Sequence, residues 1–405
     1  MTAFINATVI DGTGAAPRRG MRVLLDGDRI KGVGRYLVLP EDCEIIDLKG
    51  KILMPGLIDV HSHLGDHPYK DRPGIDSAER SNYYEQMRRL TLEAGVTTIR
   101  SCGDYMRDTA LLRDKTAAGE LKGPRVVTSG KSFMRRDSHP ATTVWAGDPP
   151  TVENCGAYPN TPDQARAMVR EAAEAGMDFI KIIISDIHIS YWPKKSEPLS
   201  DEIIRAIIDE AHKNGLTTAC HVDNLDQAKL AFDSGTDEIH HLTNMGSKHY
   251  ELGEYEPLFE AMCRKHVWLV PTITAPRAFE GVRIARGCLD SPLDYQLNVL
   301  RRAYEFGVPF GLGCDSGCPG VPWGKCVWDE MGEYVYNLGM TPLEAIRCAT
   351  SNNARLLGME DELGVIHAGA LADILILEKD PTEDICHFDS VVLVLKDGKI
   401  VTDNR

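Results

Sequence analysis

Between residues 57 and 315, eight short apolar runs alternate with stretches of helical periodicity. The runs are LIDVHSH (57–63), TTIRSC (97–102), RVVTSG (125–130), DFIKIII (178–184), TTACHV (217–222), EIHHL (238–242), VWLVPTI (267–273) and PFGLGCD (309–315). Helices are expected near 79–94, 108–118, 162–175, 256–265 and 293–306, with another ending at Gly235. In LSDEIIRAIIDEAHKNG (199–215), Ser200 is placed as an N-cap, Ile204, Ile207, Ile208 and Ala211 share a face, and Gly215 is a stop. Repeated strand–helix units imply a parallel sheet with right-handed crossovers. Eight of them predict an α/β chain closed as a (β/α)8 TIM-type barrel, whose chemistry collects at the C-terminal ends of the strands. An open doubly wound sheet is the alternative, but it would not bring the first, fourth, fifth, sixth and eighth strands to one point.

Both chain ends read differently. FINATVIDG, MRVLLDGDRIKGVG and CEIIDLKGKILMPG alternate apolar and polar positions with glycine turns, as do ADILILEKD and SVVLVLKDGKIVTDNR. Because termini often lie close together, the two ends are expected to form one small β-sandwich domain from residues 1–55 and 362–405, with the barrel at 56–361.

A formal charge of −15 over 405 residues argues against nucleic acid or an anionic membrane surface as partner, since both select basic patches. The 11 cysteines follow no disulfide-framework spacing, and no run reaches transmembrane length, which predicts a cytoplasmic protein with reduced thiols. Cys314, Cys318 and Cys326 match no structural zinc pattern and read as ordinary thiols.

Six residues at the ends of the apolar runs carry chemistry: His61, His63, Lys181, His221, His241 and Asp315. Spacing by two puts His61 and His63 on one strand face, where they can chelate one ion or stand as hydrogen-bonded core histidines. Lys181 interrupts a strand buried on both faces. It must pair with a buried carboxylate, lose its proton, or react with CO₂ to a carbamate that could bridge two ions. His221 and His241 end consecutive strands; His240 is expected to point the other way and His212, on a helix, to be structural. Asp315 ends the last strand, with Asp104 and Asp186 as alternatives for a proton-handling carboxylate.

Together these residues resemble the amidohydrolase superfamily. The likeness rests on LMPGLIDVHSHLG, the fourth-strand lysine, the fifth- and sixth-strand histidines, GLGCDSG, and the tail TPLEAIRCATSNNARLLGMEDELGVIHAGALADILIL. GMDFIKI, EAHKNGLTTACHVDN and SGTDEIHHL are most similar to the imidazolonepropionase-related group, which includes prolidase-like (Xaa-Pro) and Xaa-Arg/Lys dipeptidase members. The resemblance implies two divalent ions, usually zinc. His61, His63 and Asp315 would bind the buried one, His221 and His241 the exposed one, and carboxylated Lys181 would bridge them beside a hydroxide. Lys181 argues against the mononuclear deaminase branch and against imidazolonepropionase itself, which lacks that lysine. Two stretches depart from the family pattern: Leu242 stands where glycine is usual, and SDIHISYWPKKSEPLS lacks the usual glycine-rich continuation.

The expected activity is hydrolysis of an amide bond in a small molecule such as a dipeptide, an N-acyl amino acid or a cyclic amide. Asp315 would take a proton from water and pass it to the leaving nitrogen, with His139 stabilising the oxyanion unless it is a plain loop histidine. Arg135 and Arg136 are candidates to grip a substrate carboxylate, and Tyr191 and Trp192 to wall the pocket. An ester or lactone hydrolase on the same two ions, or a scaffold that kept the barrel without the chemistry, are the alternatives. A homo-oligomer is expected.

Overall fold

The computed structural model describes residues 1–64, 77–186, 197–243, 250–285 and 292–405, and it is a mixed α/β fold. Leu57–Ser62, Val96–Ser101 and Arg125–Thr128 form a three-stranded parallel sheet. Gly156–Ala157, Ser132–Phe133, Phe179–Ile184, Thr217–Val222, Glu238–His241 and Trp268–Val270 form, in that order, a six-stranded parallel sheet. The helices Ser77–Glu93, Met106–Ala117, Pro162–Glu174, Asp201–Lys213, Leu225–Ser234, Glu256–Lys265 and Pro292–Glu305 fall where periodicity puts them.

Asp201–Lys213 shows why. Ile203, Ile204, Ile207, Ile208 and Ala211 are buried along one face, and Ile204 and Ala211 join the main core. Ser200 occupies the N-cap position, but its hydroxyl makes no capping bond. Asn224 does cap Leu225–Ser234, accepting from the Gln227 N–H, and Gly235 ends that helix at φ 94°. Five α-helices among the described residues were not anticipated: Pro149–Cys155 inside the loop after the third strand, Thr274–Ala285, Lys325–Tyr336, Pro342–Arg347 and Asn353–Leu356.

The expected eighth strand, 309–315, forms no regular ladder. Single parallel bridges, Leu269↔Phe310 and Ser62↔Ser316, tie this segment to both sheets. Backbone bonds run from Val60 N–H to Leu312 O (3.1 Å), Gly311 N–H to Leu269 O (3.0 Å) and Asp315 N–H to His61 O (2.8 Å). Glycine permits the approach: a Cβ on Gly313 would lie 2.4 Å from His61 Cβ. Buried side chains then lock it. Asp59 accepts from the His61 and Cys314 backbone N–H groups (3.1 and 3.2 Å) and from the Ser62 and Ser316 hydroxyls (2.8 and 3.1 Å). Asn353 donates to Ile58 O and Leu312 O, each at 2.7 Å. The segment carrying Asp315 is thereby held against the strand carrying His61.

The chain ends pair into one eight-stranded sheet. Its order is Lys399–Asp403, Val391–Lys396, Ile374–Leu377, Ile52–Pro55, Thr2–Val9, Arg18–Asp26 and Arg29–Gly34, with Glu44–Asp47 also on Thr2–Val9. The ends meet where Ile374–Leu377 runs antiparallel to Ile52–Pro55, because both strands are fully buried and apolar on each face. Among the described residues no helix is long and apolar enough to cross a membrane, and the described cysteines are free thiols.

Candidate metal centre

Five imidazoles form an arc at the strand ends. Ring centroids are 5.5 Å apart for His63 and His61, 4.6 Å for His61 and His241, 4.2 Å for His241 and His221, and 5.0 Å for His221 and His139. Asp315 sits at one end. Its Oδ1 is 3.0 Å from His61 Nε2 and 3.1 Å from His63 Nε2, yet this buried oxygen has no hydrogen-bond partner. A buried acceptor aimed at ring nitrogens without a hydrogen bond is the pattern of donors converging on a cation.

Asp315 is the shared corner of two groups that could hold an ion. One is His61, His241 and Asp315, and the other is His63, Asp315 and Cys318; in each the ligand atoms lie within 4.8 Å of one another. The backbone enforces this: Asp315 is held at φ 61°, and the Cys318 N–H closes a turn onto Asp315 O at 3.1 Å.

Each ring is oriented from behind. His221 Nε2 lies 3.1 Å from Asp223 Oδ1, so the proton sits there and Nδ1 is left as the lone pair. His241 Nδ1 is 2.7 Å from Thr272 Oγ1. His139 Nδ1 is 2.7 Å from Thr143 Oγ1. Burial, above all, drives the imidazoles of His61, His139, His240 and His241 well below their ordinary range; Lys181 adds to this for His61 and His240, and His221 for His139 and His241. Burial opposes ionisation of Asp315, but His61, His63 and His241 outweigh it and hold the carboxyl well below its usual range. Neutral imidazoles beside an ionised carboxylate are the protonation states a divalent ion requires.

Lys181 is the third residue of Phe179–Ile184, not its end, so it lies one layer below His221, whose partner on that strand is Ile183. It is 1% exposed, and its Nζ lies 3.3 Å from His240 Nδ1. Among the described residues it has no ion pair, and burial lowers its pKa. The pairing with a buried carboxylate that the sequence left open is absent there.

His240 corrects the expectation that it points away. Its ring touches His61, Nδ1 to Nδ1 at 2.6 Å, and its Nε2 is 2.9 Å from Glu238 Oε2. His240 follows the strand's own alternation, in register with His221 and Ile183, and alternation fails only at His241, which with Leu242 adopts left-handed backbone, φ 70° and 53°, as the chain leaves the strand. The departure at Leu242 therefore falls in a conformation that glycine takes without strain. Arg100 extends the network, forking onto Glu238 at 2.8 and 2.5 Å and donating to Val60 O at 2.7 Å. Neither Arg100, Glu238 nor Asp59 was singled out from sequence; a charged residue inside an apolar run, as in TTIRSC, LIDVHSH and EIHHL, was the available signal.

The substrate-gripping arginines are engaged elsewhere. Arg135 forks onto Asp137, both bonds at 2.9 Å, and Arg136 onto Glu153 at 2.5 and 3.0 Å while stacking over Tyr158. Arg136 lines a separate cavity with Lys131, Phe133 and Tyr158. Asp137 thus holds one guanidinium from two residues away, and Glu153, in the helix Pro149–Cys155, holds the other. Asp104 sits behind His63, accepting from the Leu64 N–H at 2.9 Å, and Asp186 accepts from Asn224 at 3.1 Å. Helical His212 pairs with Asp237 at 2.9 Å. Tyr191 and Trp192 lie outside the described residues.

The profile of the amidohydrolase family matches residues 52–401. The chain belongs to that family. It is 27% identical over 372 residues to an ochratoxinase of Aspergillus niger, covering 86% of this chain and 75% of that one. An imidazolonepropionase of Rubrobacter xylanophilus is 24% identical over 420 residues, covering 94% and 90%. The crystal structure of a Xaa-Pro dipeptidase with bound methionine superimposes with a TM-score of 0.83 at 28% identity, covering 98% of this chain and 99% of that one.

Proposed function

We propose that this protein is a metal-dependent hydrolase of an amide bond in a small molecule, of the dipeptide or N-acyl amino acid class. The observation that carries the reading is the partnerless Asp315 Oδ1, facing two imidazole nitrogens at the head of the histidine arc. The dipeptidase named above makes a peptide-type bond the first substrate to try.

His61, His63, His221, His241 and Asp315 would hold two divalent ions, zinc suiting an imidazole–carboxylate set, with carboxylated Lys181 between them. The fit for Lys181 is chemical. His240 Nδ1 offers one lone pair, and His61 at 2.6 Å takes it before Lys181 at 3.3 Å. A buried ammonium without an acceptor is costly, and a neutral amine is the form that adds CO₂. When bound, such ions polarise a carbonyl and make water acidic near neutral pH. Asp315 accepts the proton of the attacking water and returns it to the leaving nitrogen. His139, packed on His221 and anchored through Nδ1, directs Nε2 at the oxyanion when the Thr143 hydroxyl donates to Nδ1. The parallel sheets are taken to close through 309–316 as an eight-stranded barrel, which explains how five strands reach one centre. Domain limits of 56–361 and of 1–55 with 362–405 go with that reading.

The test is hydrolysis of a panel of Xaa-Pro and other dipeptides, N-acyl amino acids, cyclic amides, and matched esters and lactones by zinc-loaded protein, with Asp315→Asn as control. Amide turnover abolished in the control supports the reading. Ester or lactone turnover alone selects the alternative chemistry, and no turnover of any class contradicts it.

A further inference from the structure

We propose that Glu238 and His240 form a relay that fixes the tautomer of His61, so that the His61 Nε2 lone pair faces the metal. The inference rests on the metal reading above and names two positioning residues for it.

The relay follows from donor and acceptor counting. Glu238 is an acceptor only, its charge matched by the two-pronged contact with Arg100 at 2.8 and 2.5 Å. Its Oε2 lies 2.9 Å from His240 Nε2, so His240 carries its proton on Nε2. His240 Nδ1 is then a bare lone pair. His61 Nδ1 faces it at 2.6 Å and must be the donor. With the proton on Nδ1, His61 Nε2 is a lone pair as well, and it faces Asp315 Oδ1 at 3.0 Å.

Two acceptors now oppose each other. That agrees with an independent observation: Asp315 Oδ1 has no hydrogen-bond partner despite the short distance. Reversing the chain of protons would set the His240 Nε2 lone pair against the Glu238 carboxylate at 2.9 Å, with only the 3.4 Å contact from Arg100 to offset it. His240 is 0% exposed, and Arg100, Glu238 and His61 are each 1% exposed, so solvent does not exchange the two arrangements in place. The relay joins the two parallel sheets: Arg100, on Val96–Ser101, also holds Val60 O beside His61, and Glu238 and His240 share Glu238–His241. Hydrogen bonding at one ring nitrogen decides which nitrogen binds a metal.

The test uses the 405-residue chain with His240→Phe, which keeps the volume and removes the acceptor, and His240→Asn, which offers an amide oxygen near the Nδ1 position. Zinc affinity is measured by chelator competition, unfolding midpoints are recorded, and the His61 tautomer is read from ¹⁵N shifts of histidine-labelled, metal-free protein. The relay predicts Nδ1–H on His61 in the wild type and a loss of roughly 10–100-fold in zinc affinity for His240→Phe. His240→Asn should stay much closer to wild type. Nε2–H on His61 in the metal-free wild type, an unchanged affinity in His240→Phe, or equal losses in both variants would each overturn the relay while leaving the metal site standing. If the wild type itself binds no zinc, the metal reading falls, and the ¹⁵N assignment decides the tautomer on its own. Should His240→Phe fail to fold, His240→Asn and the wild-type spectrum carry the decision.

Discussion

Arg100 and Glu238 meet fork to fork, at 2.8 and 2.5 Å, with each side chain 1% exposed. The guanidinium also lies 4.5 Å from the centre of the Phe179 ring. A buried pair of this kind gains little over an apolar replacement, but removing one partner strands the other charge. Arg100→Met should therefore cost about 3–5 kcal/mol of folding stability. Denaturant titration checks this, and a cost below about 1 kcal/mol, the value of an exposed pair, would show that water reaches the site.

Gly313 is the second point of pressure. A Cβ there meets His61 Cβ at 2.4 Å and the His61 backbone nitrogen at 2.8 Å, and neither atom can swing aside. Gly313→Ala should cost about 1–3 kcal/mol and displace His61 from Asp315. Bound metal per folded chain should fall along with the unfolding midpoint. A variant that loses stability but keeps full metal content would show that the strand moves as a unit.

Glu330 gives a pH test away from the histidines. It is fully buried, accepts from the Ile273 and Thr274 N–H groups at 2.8 Å each, and burial raises its pKa from 4.5 to about 8. A carboxyl with a raised folded-state pKa stabilises fully below its unfolded value, and the stabilisation is lost as pH climbs through the folded value. Wild-type stability should fall between about pH 4.5 and about 8, and less steeply in Glu330→Gln. Parallel stability–pH curves for the two proteins would contradict this.

Much of this architecture is legible in the sequence because burial imposes period. DFIKIII and TTACHV become strands paired over six residues, and the Asp201–Lys213 helix buries the isoleucines its spacing singles out. The features that escaped depend on backbone strain or on pairings that only the folded chain sets. His241 joins the inward-facing His240 because it leaves the strand with positive φ, which no local pattern encodes. Arg135 and Arg136 are consumed by Asp137 and Glu153, a competition visible only once the loop is folded. The eighth run lacks a ladder because Gly311 and Gly313 trade strand character for close approach to Leu356 and His61.

His139 separates binding from chemistry. Its ring is packed on His221 and anchored through Nδ1 by Thr143. If it stabilises the oxyanion, His139→Ala should lower kcat by roughly 10²–10³ with little change in KM. Equal kcat with a raised KM would make it a binding residue instead.

Elemental analysis of the purified protein decides whether a pair of ions is bridged through Lys181. Wild type and Lys181→Ala, both produced in zinc-supplemented medium, are compared for metal bound per chain. About two equivalents are expected in the wild type, with a sharp fall in Lys181→Ala and the variant still folded. A single equivalent, unchanged by the substitution, would contradict the bridge.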